Sequence, residues 1–326
     1  MESRNNHVHR PAPDDAETVP GAPRLVAILG PTAVGKTGLG IDLALRFGGE
    51  VVNADSRYLY RGFDIGVAKP TDAEMRGVPH HLVDILPPDG EMSLAVYQDL
   101  ANAAIRDVLS RGRLPFLVGG TPLYANAVLE GWRIPRVPPD PAIRARLEHE
   151  AERDGLPALA ERLREVDPAA FARSGANLRR VIRALEVWEV SGVPMSAQEG
   201  KGPRPYRTLE LGLTRDRAAL HAAIDDRIRE QLAAGLAEEV RGLLAAGVAP
   251  DAPAMGSIGY RQLLPHLAGE EPPEEAVAAI ARDTRRYVRH QETWLRRNPR
   301  LVPLDTGRPG WRERAAGLVG AFLAED

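Results

Sequence analysis

The sequence predicts an α/β protein: a parallel sheet flanked by helices and interrupted by a helical insertion. Three observations point there. Short buried apolar runs alternate with amphipathic helical stretches as far as Gly131. A glycine-rich turn carrying Lys36 and Thr37 joins the first apolar run to the helix after it. Two proline- and glycine-rich hinges then bracket a stretch with helical patterning and no clear strand.

In chain order, residues 1–22 read as a disordered leader, rich in Pro, Asp, His and Asn. Asp14, Asp15 and Glu17 argue against a transit peptide, and the lack of an apolar run argues against a secretory signal. The core is expected over 23–131 and 206–326. Leu25–Leu29 is a buried strand, followed by Gly30-Pro31-Thr32-Ala33-Val34-Gly35-Lys36-Thr37. This fits G-x-x-x-x-G-K-[ST] with a strand before and a helix after, so the core reads as P-loop NTPase-like. Such a turn aims successive backbone N–H groups at one anion, and the helix dipole adds to their pull. Lys36 would hold an outer phosphate as a point charge, and the Thr37 hydroxyl would ligate Mg²⁺.

The helix runs to about Phe47, where Gly48-Gly49 stops it. Glu50–Ala54 is a short strand ending at Asp55, on the side where open α/β sheets bind ligands. His81–Ile85 is expected to be a strand, Ser93–Ser110 a helix capped by Ser93, and Leu114–Val118 a strand closed by Gly119-Gly120-Thr121. Pro135, Pro138, Pro139 and Pro141 mark the first hinge, Gly192–Pro205 the second, and 132–205 is the helical insertion. Thr208–Leu213 returns to strand. Helices follow between Arg217 and Ala246, between Glu274 and Arg297, and in a short stretch after Arg312.

With 326 residues, 44% hydrophobic and 27% charged, the chain has an ordinary globular composition and room for more than one domain. No apolar run is long enough for a membrane span. Zero cysteines exclude disulfides, thiolate catalysis and Cys-based zinc sites, and suit a cytoplasmic protein. A net charge of −3 makes no global case for nucleic acid, which must rest on local clusters.

Asp55 admits three roles: a Walker-B-like carboxylate for Mg²⁺, a general base, or a cap on the next turn. Val51-Val52-Asn53-Ala54 is a poor Walker-B strand, and the better one, Leu114–Val118, ends without a carboxylate. The usual NTP-hydrolysing arrangement lacks its second half, which suggests that the bound phosphates leave rather than serve as fuel. Arg173, Arg179, Arg180 and Arg183 cluster in the insertion. Arg282, Arg285, Arg286, Arg289, Arg296, Arg297 and Arg300 cluster near the C-terminus, with Tyr287 and Trp294 between them. Either cluster alone fits a solvated face; together they favour a polyanion partner. His80-His81 lacks metal-ligand spacing.

Taken together, the sequence resembles the tRNA dimethylallyltransferase (tRNA isopentenyltransferase) family of bacterial type. The matching residues are the P-loop, Asn53-Ala-Asp-Ser56, Tyr60–Gly66, Ala68-Lys69-Pro70, Pro79–Asp84, Val118–Thr121 with Leu123-Tyr124, Arg183–Val187, Ile258-Gly-Tyr-Arg-Gln262 and Thr293-Trp-Leu295. The resemblance implies transfer of a dimethylallyl group from its diphosphate to the exocyclic amine of the adenine 3′ of a tRNA anticodon, in tRNAs reading codons that begin with U. It implies Asp55 as the base. Thr32 and Arg227 fall at family positions near the diphosphate. Asp55, Ser56, Arg57 and Tyr58, Thr121, and Arg179, Arg180, Val181, Ile182 and Arg183 fall at tRNA-contacting positions. Mg²⁺ is the implied cofactor, and a cytoplasmic monomer with no membrane contact is expected.

Two positions depart from the family pattern: Tyr58 stands where Gln is common, and Val67 where Thr is common. The competing readings are an isopentenyltransferase acting on free adenine nucleotides, a P-loop small-molecule kinase and a non-enzymatic P-loop switch.

Overall fold

The computed structural model describes residues 18–174 and 177–325. Most of the expected leader lies outside the described residues. Its described end is tied to the core: the Val19 N–H donates to the Arg204 carbonyl at 3.0 Å, so the folded chain begins upstream of Pro23.

The main sheet holds β1 (Arg24–Leu29), β2 (Gly49–Asn53), β3 (His80–His81), β4 (Leu114–Gly119), β7 (Arg207–Thr214) and β8 (Leu301–Asp305). Their order is β3-β2-β4-β1-β7-β8, and every pairing is parallel. The remaining strands, β5 (Trp132–Arg133) and β6 (Gly200–Lys201), form an antiparallel ribbon where the insertion leaves and rejoins the core.

Parallel sheets carry helices on both faces, so their strands are apolar along their whole length. In β1, Val26 and Ile28 pack into one cluster with the helices Lys36–Phe47 and Trp311–Ala324. Leu25, Ala27 and Leu29 pack into the other with Leu94–Ser110 and Pro122–Leu129. This is the two-residue alternation of a strand. Local signals set the helix ends: Gly48 stops the first helix at φ 64°, and Ser93 Oγ accepts from the Val96 N–H to start Leu94–Ser110.

Between the hinges, the helices Pro141–Asp154, Leu156–Val166, Pro168–Ser174 and Leu178–Ser191 enclose their own core of Leu147, Leu159, Leu163, Val181 and Leu185. A further cluster joins the helices Arg217–Ala233, Leu236–Ala245, Tyr260–Leu267 and Pro273–Leu295 around Tyr60, Phe63 and Tyr260.

Two strands of the main sheet differ from expectation. The strand expected over His81–Ile85 is only His80–His81, because Leu82 (φ 61°) and Asp84 (φ 56°) leave the extended region. The Leu82 carbonyl is held by Asn53 Nδ2 at 2.9 Å instead of by a sheet partner. The strand β8 was not expected, and it runs continuously through Pro303. As an edge strand that, among the described residues, pairs only with β7, it tolerates a residue with no N–H.

Candidate active site

The C-terminal ends of β1, β2 and β4 open on one cleft of about 1390 Å³, lined by Thr32, Lys36, Thr37, Asp55, Thr121, Arg180 and Arg227 among others. Residues distant in sequence meet here because the parallel sheet puts all its strand exits at one edge.

The P-loop turns through left-handed backbone at Ala33 (φ 61°) and Gly35 (φ 94°), and Gly35 caps the helix Lys36–Phe47. The first-turn N–H groups of a helix have no intrahelical acceptor, so they are available to an anion in the cleft. Lys36 Nζ donates to the Pro31 carbonyl at 2.6 Å. Desolvation by the surrounding protein pushes its ammonium down to about 8; the Asp55 carboxylate opposes that shift and Arg227 adds to it.

Asp55 sits just past β2. Its N–H donates to Asn53 Oδ1 at 2.8 Å, and Asn53 Nδ2 returns a bond to the Asp55 carbonyl at 2.9 Å. Asp55 Oδ1 accepts from the Arg57 N–H at 3.0 Å, so Asp55 also caps the next turn. No partner for Oδ2 appears among the described residues. Thr121 Oγ1 accepts from the Ser56 N–H at 3.0 Å, and the Thr121 N–H donates to the Ala54 carbonyl at 3.1 Å. These bonds join the exits of β2 and β4 into one rim. Arg57 reaches out of this rim, and its guanidinium donates to the Pro253 carbonyl at 3.2 Å.

Gln291 drew no attention in the sequence. It is buried on the helix Pro273–Leu295, where Oε1 accepts from the Thr32 N–H at 3.0 Å and Nε2 donates to the Gly120 carbonyl at 2.6 Å. One side chain thus clamps the P-loop to the turn after β4. Tyr287, His290, Gln291 and Trp294 of this helix line the cleft. They recur at the i, i+3, i+4, i+7 spacing that sets one helix face, the signal from which this wall is legible. Of the Arg-rich cluster, Arg286 reaches the cleft, whereas Arg285 pairs with Asp225.

On the insertion helix Leu178–Ser191 the expected tRNA-contacting run divides. Arg179 and Arg180 are exposed, and Arg180 lines the cleft. Val181 and Ile182 are buried in the insertion core, where no RNA can touch them. Arg183 turns inward: it donates to the buried Glu186 at 2.6 Å and to the Val137 carbonyl at 2.7 Å. Val181 and Ile182 are therefore core residues, Arg183 is partly buried and engaged within the insertion, and Arg179 and Arg180 are the exposed members of the run.

Tyr58 donates its hydroxyl to the Ala68 carbonyl at 2.7 Å, and burial followed by the Asp55 charge pushes the phenol up to about 12. Arg227 donates to the Val67 carbonyl at 2.9 Å. His81 Nε2 lies within hydrogen-bonding distance of Glu50 Oε2, at 2.7 Å. Among the described residues no group of three or more His, Asp or Glu could hold a metal. A cation here would draw on the Thr37 hydroxyl and on oxygens brought by a bound anion, with the Asp55 carboxylate lining the same space.

The sequence model of IPP transferase matches residues 58–298. The chain belongs to the IPP transferase family. The tRNA dimethylallyltransferase of Thermomicrobium roseum is 54% identical to it over 303 residues, covering 93% of this chain and 92% of that protein. That of a Roseiflexus species is 52% identical over 300 residues, covering 92% and 98%. The crystal structure of the tRNA isopentenylpyrophosphate transferase of Bacillus halodurans superposes with a TM-score of 0.70 at 39% identity, covering 92% of this chain and 96% of that one. Both positions expected to depart from the family pattern line the cleft. At Val67 the polar contact is made by the backbone carbonyl, not the side chain, and Tyr58 spends its hydroxyl on the loop across from it.

Proposed function

We propose that this IPP transferase moves a dimethylallyl group from dimethylallyl diphosphate to the exocyclic amine of the adenine 3′ of the anticodon in tRNA. The observation that carries the reading is the shared cleft: an anion-binding loop and an aspartate face one space, and an insertion arginine lines the same space.

The diphosphate lies against the P-loop N–H groups, Lys36 and Arg227. Charge builds there as the allylic C–O bond breaks, so fixed donors at that point favour the transition state over the ground state. The adenine amine supplies the electron pair for the new C–N bond, pyrophosphate departs with the electrons of the C–O bond, and Asp55 takes the amine proton. The base must be splayed from its loop to enter, and Thr121 with Ser56 forms the rim it meets. Mg²⁺ fits as a companion of the diphosphate, held by the Thr37 hydroxyl and phosphate oxygens, where it would help neutralise the leaving group. Exposed Arg179 and Arg180 meet the tRNA backbone, and the site of action is the cytoplasm, where tRNA resides.

The test is to incubate the protein with Mg²⁺ and labelled dimethylallyl diphosphate, offering unmodified tRNA or free adenine nucleotides. Label is expected in tRNA alone. Transfer to nucleotides alone would replace this reading with the nucleotide-directed one, and transfer to neither would end both.

A further inference from the structure

The sequence Ile258-Gly-Tyr-Arg-Gln262 lies outside the chemistry described so far, yet Tyr260 is completely buried beneath the loop that carries Val67. We infer that Tyr260, together with Glu239 and Gln231, positions the Arg227 guanidinium over the diphosphate by fixing the Asp64–Ala68 loop. This rests on the proposed role of Arg227.

The loop is held on both its donor and acceptor sides. Glu239 Oε2 accepts from the N–H groups of Asp64 at 3.2 Å and Ile65 at 2.9 Å. The Gly66 N–H donates to Tyr260 Oη at 3.1 Å, and the Tyr260 hydroxyl in turn donates to Glu239. On the opposite side Gln231 Nε2 donates to the carbonyls of Ile65 at 2.8 Å and Gly66 at 2.7 Å. The next carbonyl, that of Val67, accepts from Arg227. Gln231 and Arg227 are four residues apart on one helix and so share a face. The same face therefore grips the loop and presents the guanidinium that the loop orients.

Two features show that this contact is fitted rather than incidental. A Cβ on Gly66 would lie 2.3 Å from the Tyr260 ring and 2.8 Å from Leu236, so the loop packs against the tyrosine with no room for a side chain. Burial, then the hydrogen bond to Glu239, raises the Tyr260 phenol far above its ordinary range, so its proton stays on the bridge. Held this way, the loop carries its carbonyl to Arg227 without rearrangement, the support from behind that a site needs to keep its geometry.

The decisive experiment is a double-mutant cycle of Tyr260→Phe and Arg227→Ala, read as kcat/KM for dimethylallyl diphosphate. Tyr260→Phe keeps the ring and loses the bridge. It is expected to lower kcat/KM about 10-fold or more in the wild-type background, chiefly through KM, and to have almost no effect once Arg227 is gone, with tRNA affinity unchanged throughout. Gln231→Met repeats the cycle from a half-buried position should the tyrosine variant fold poorly. Equal losses in both backgrounds would make Tyr260 a merely structural residue and overturn the inference. An Arg227→Ala protein with wild-type kcat/KM would overturn it differently, by removing Arg227 from the site, while wild-type prenyl transfer to tRNA would still uphold the proposed reaction.

Discussion

At the scale of single residues the site divides by how local its determinants are. The P-loop and Asp55 were legible because each is defined by neighbours in sequence: a strand, a tight turn and the next helix. The clamp made by Gln291 was not, because its partner Thr32 lies 259 residues away: helical spacing can put Gln291 on the cleft-facing side but names no partner for it. Lys36 yields a pH prediction. Its ammonium titrates near 8 in the open cleft, and a bound diphosphate favours the charged form. Binding therefore takes up a proton above that pH, so affinity for dimethylallyl diphosphate should hold below pH 8 and fall by up to about tenfold per pH unit above it. Titration calorimetry at several pH values checks this. Lys36→Arg should remove the break near pH 8, because a guanidinium stays charged across that range.

Single elements show where pattern reading stops short of side-chain direction. The insertion helix Leu178–Ser191 was legible as a helix, but a run of consecutive residues on it cannot all face one ligand, since they point around the whole circumference. Arg180 faces the cleft and Arg183 the buried Glu186. Arg183→Ala should accordingly cost about 1–3 kcal/mol in urea unfolding, from a buried carboxylate left with fewer partners, whereas Arg180→Ala should leave stability within about 0.5 kcal/mol and weaken tRNA binding. Equal effects of the two on unfolding would show the helix face to be wrongly assigned. The helix Pro273–Leu295 makes a parallel case, since Gln291→Leu strips the Thr32 N–H of its acceptor and leaves the Gly120 carbonyl with only the longer bond from the Tyr287 hydroxyl at 3.3 Å. A loss of about 1–2 kcal/mol is expected, together with a higher KM for dimethylallyl diphosphate as the P-loop loosens. The strand β8 and the shortened β3 escaped sequence reading for backbone reasons: an edge strand can include a proline, and positive φ at Leu82 and Asp84 cannot be seen in an apolar pattern.

At the scale of the whole molecule, the alternation of strands and helices with two hinges was enough to place a parallel sheet and a helical insertion in order. The strand order was not readable, because it depends on which edges pair across the chain. That order brings the exits of β1, β2 and β4 to one cleft and puts an insertion arginine on its wall. If the two exposed insertion arginines meet tRNA phosphates, replacing Arg179 and Arg180 with alanine should flatten the salt dependence of tRNA binding by up to about 0.9 per lost contact in a log–log plot; an unchanged slope would return them to a solvated surface. The central claim is that Asp55 acts on the acceptor amine while the P-loop holds the leaving group. Its most direct test is the single-turnover rate of prenyl transfer by Asp55→Asn at saturating dimethylallyl diphosphate and tRNA. A fall of about 10²–10⁴-fold with tRNA affinity nearly unchanged is the predicted result, and a wild-type rate would contradict the account.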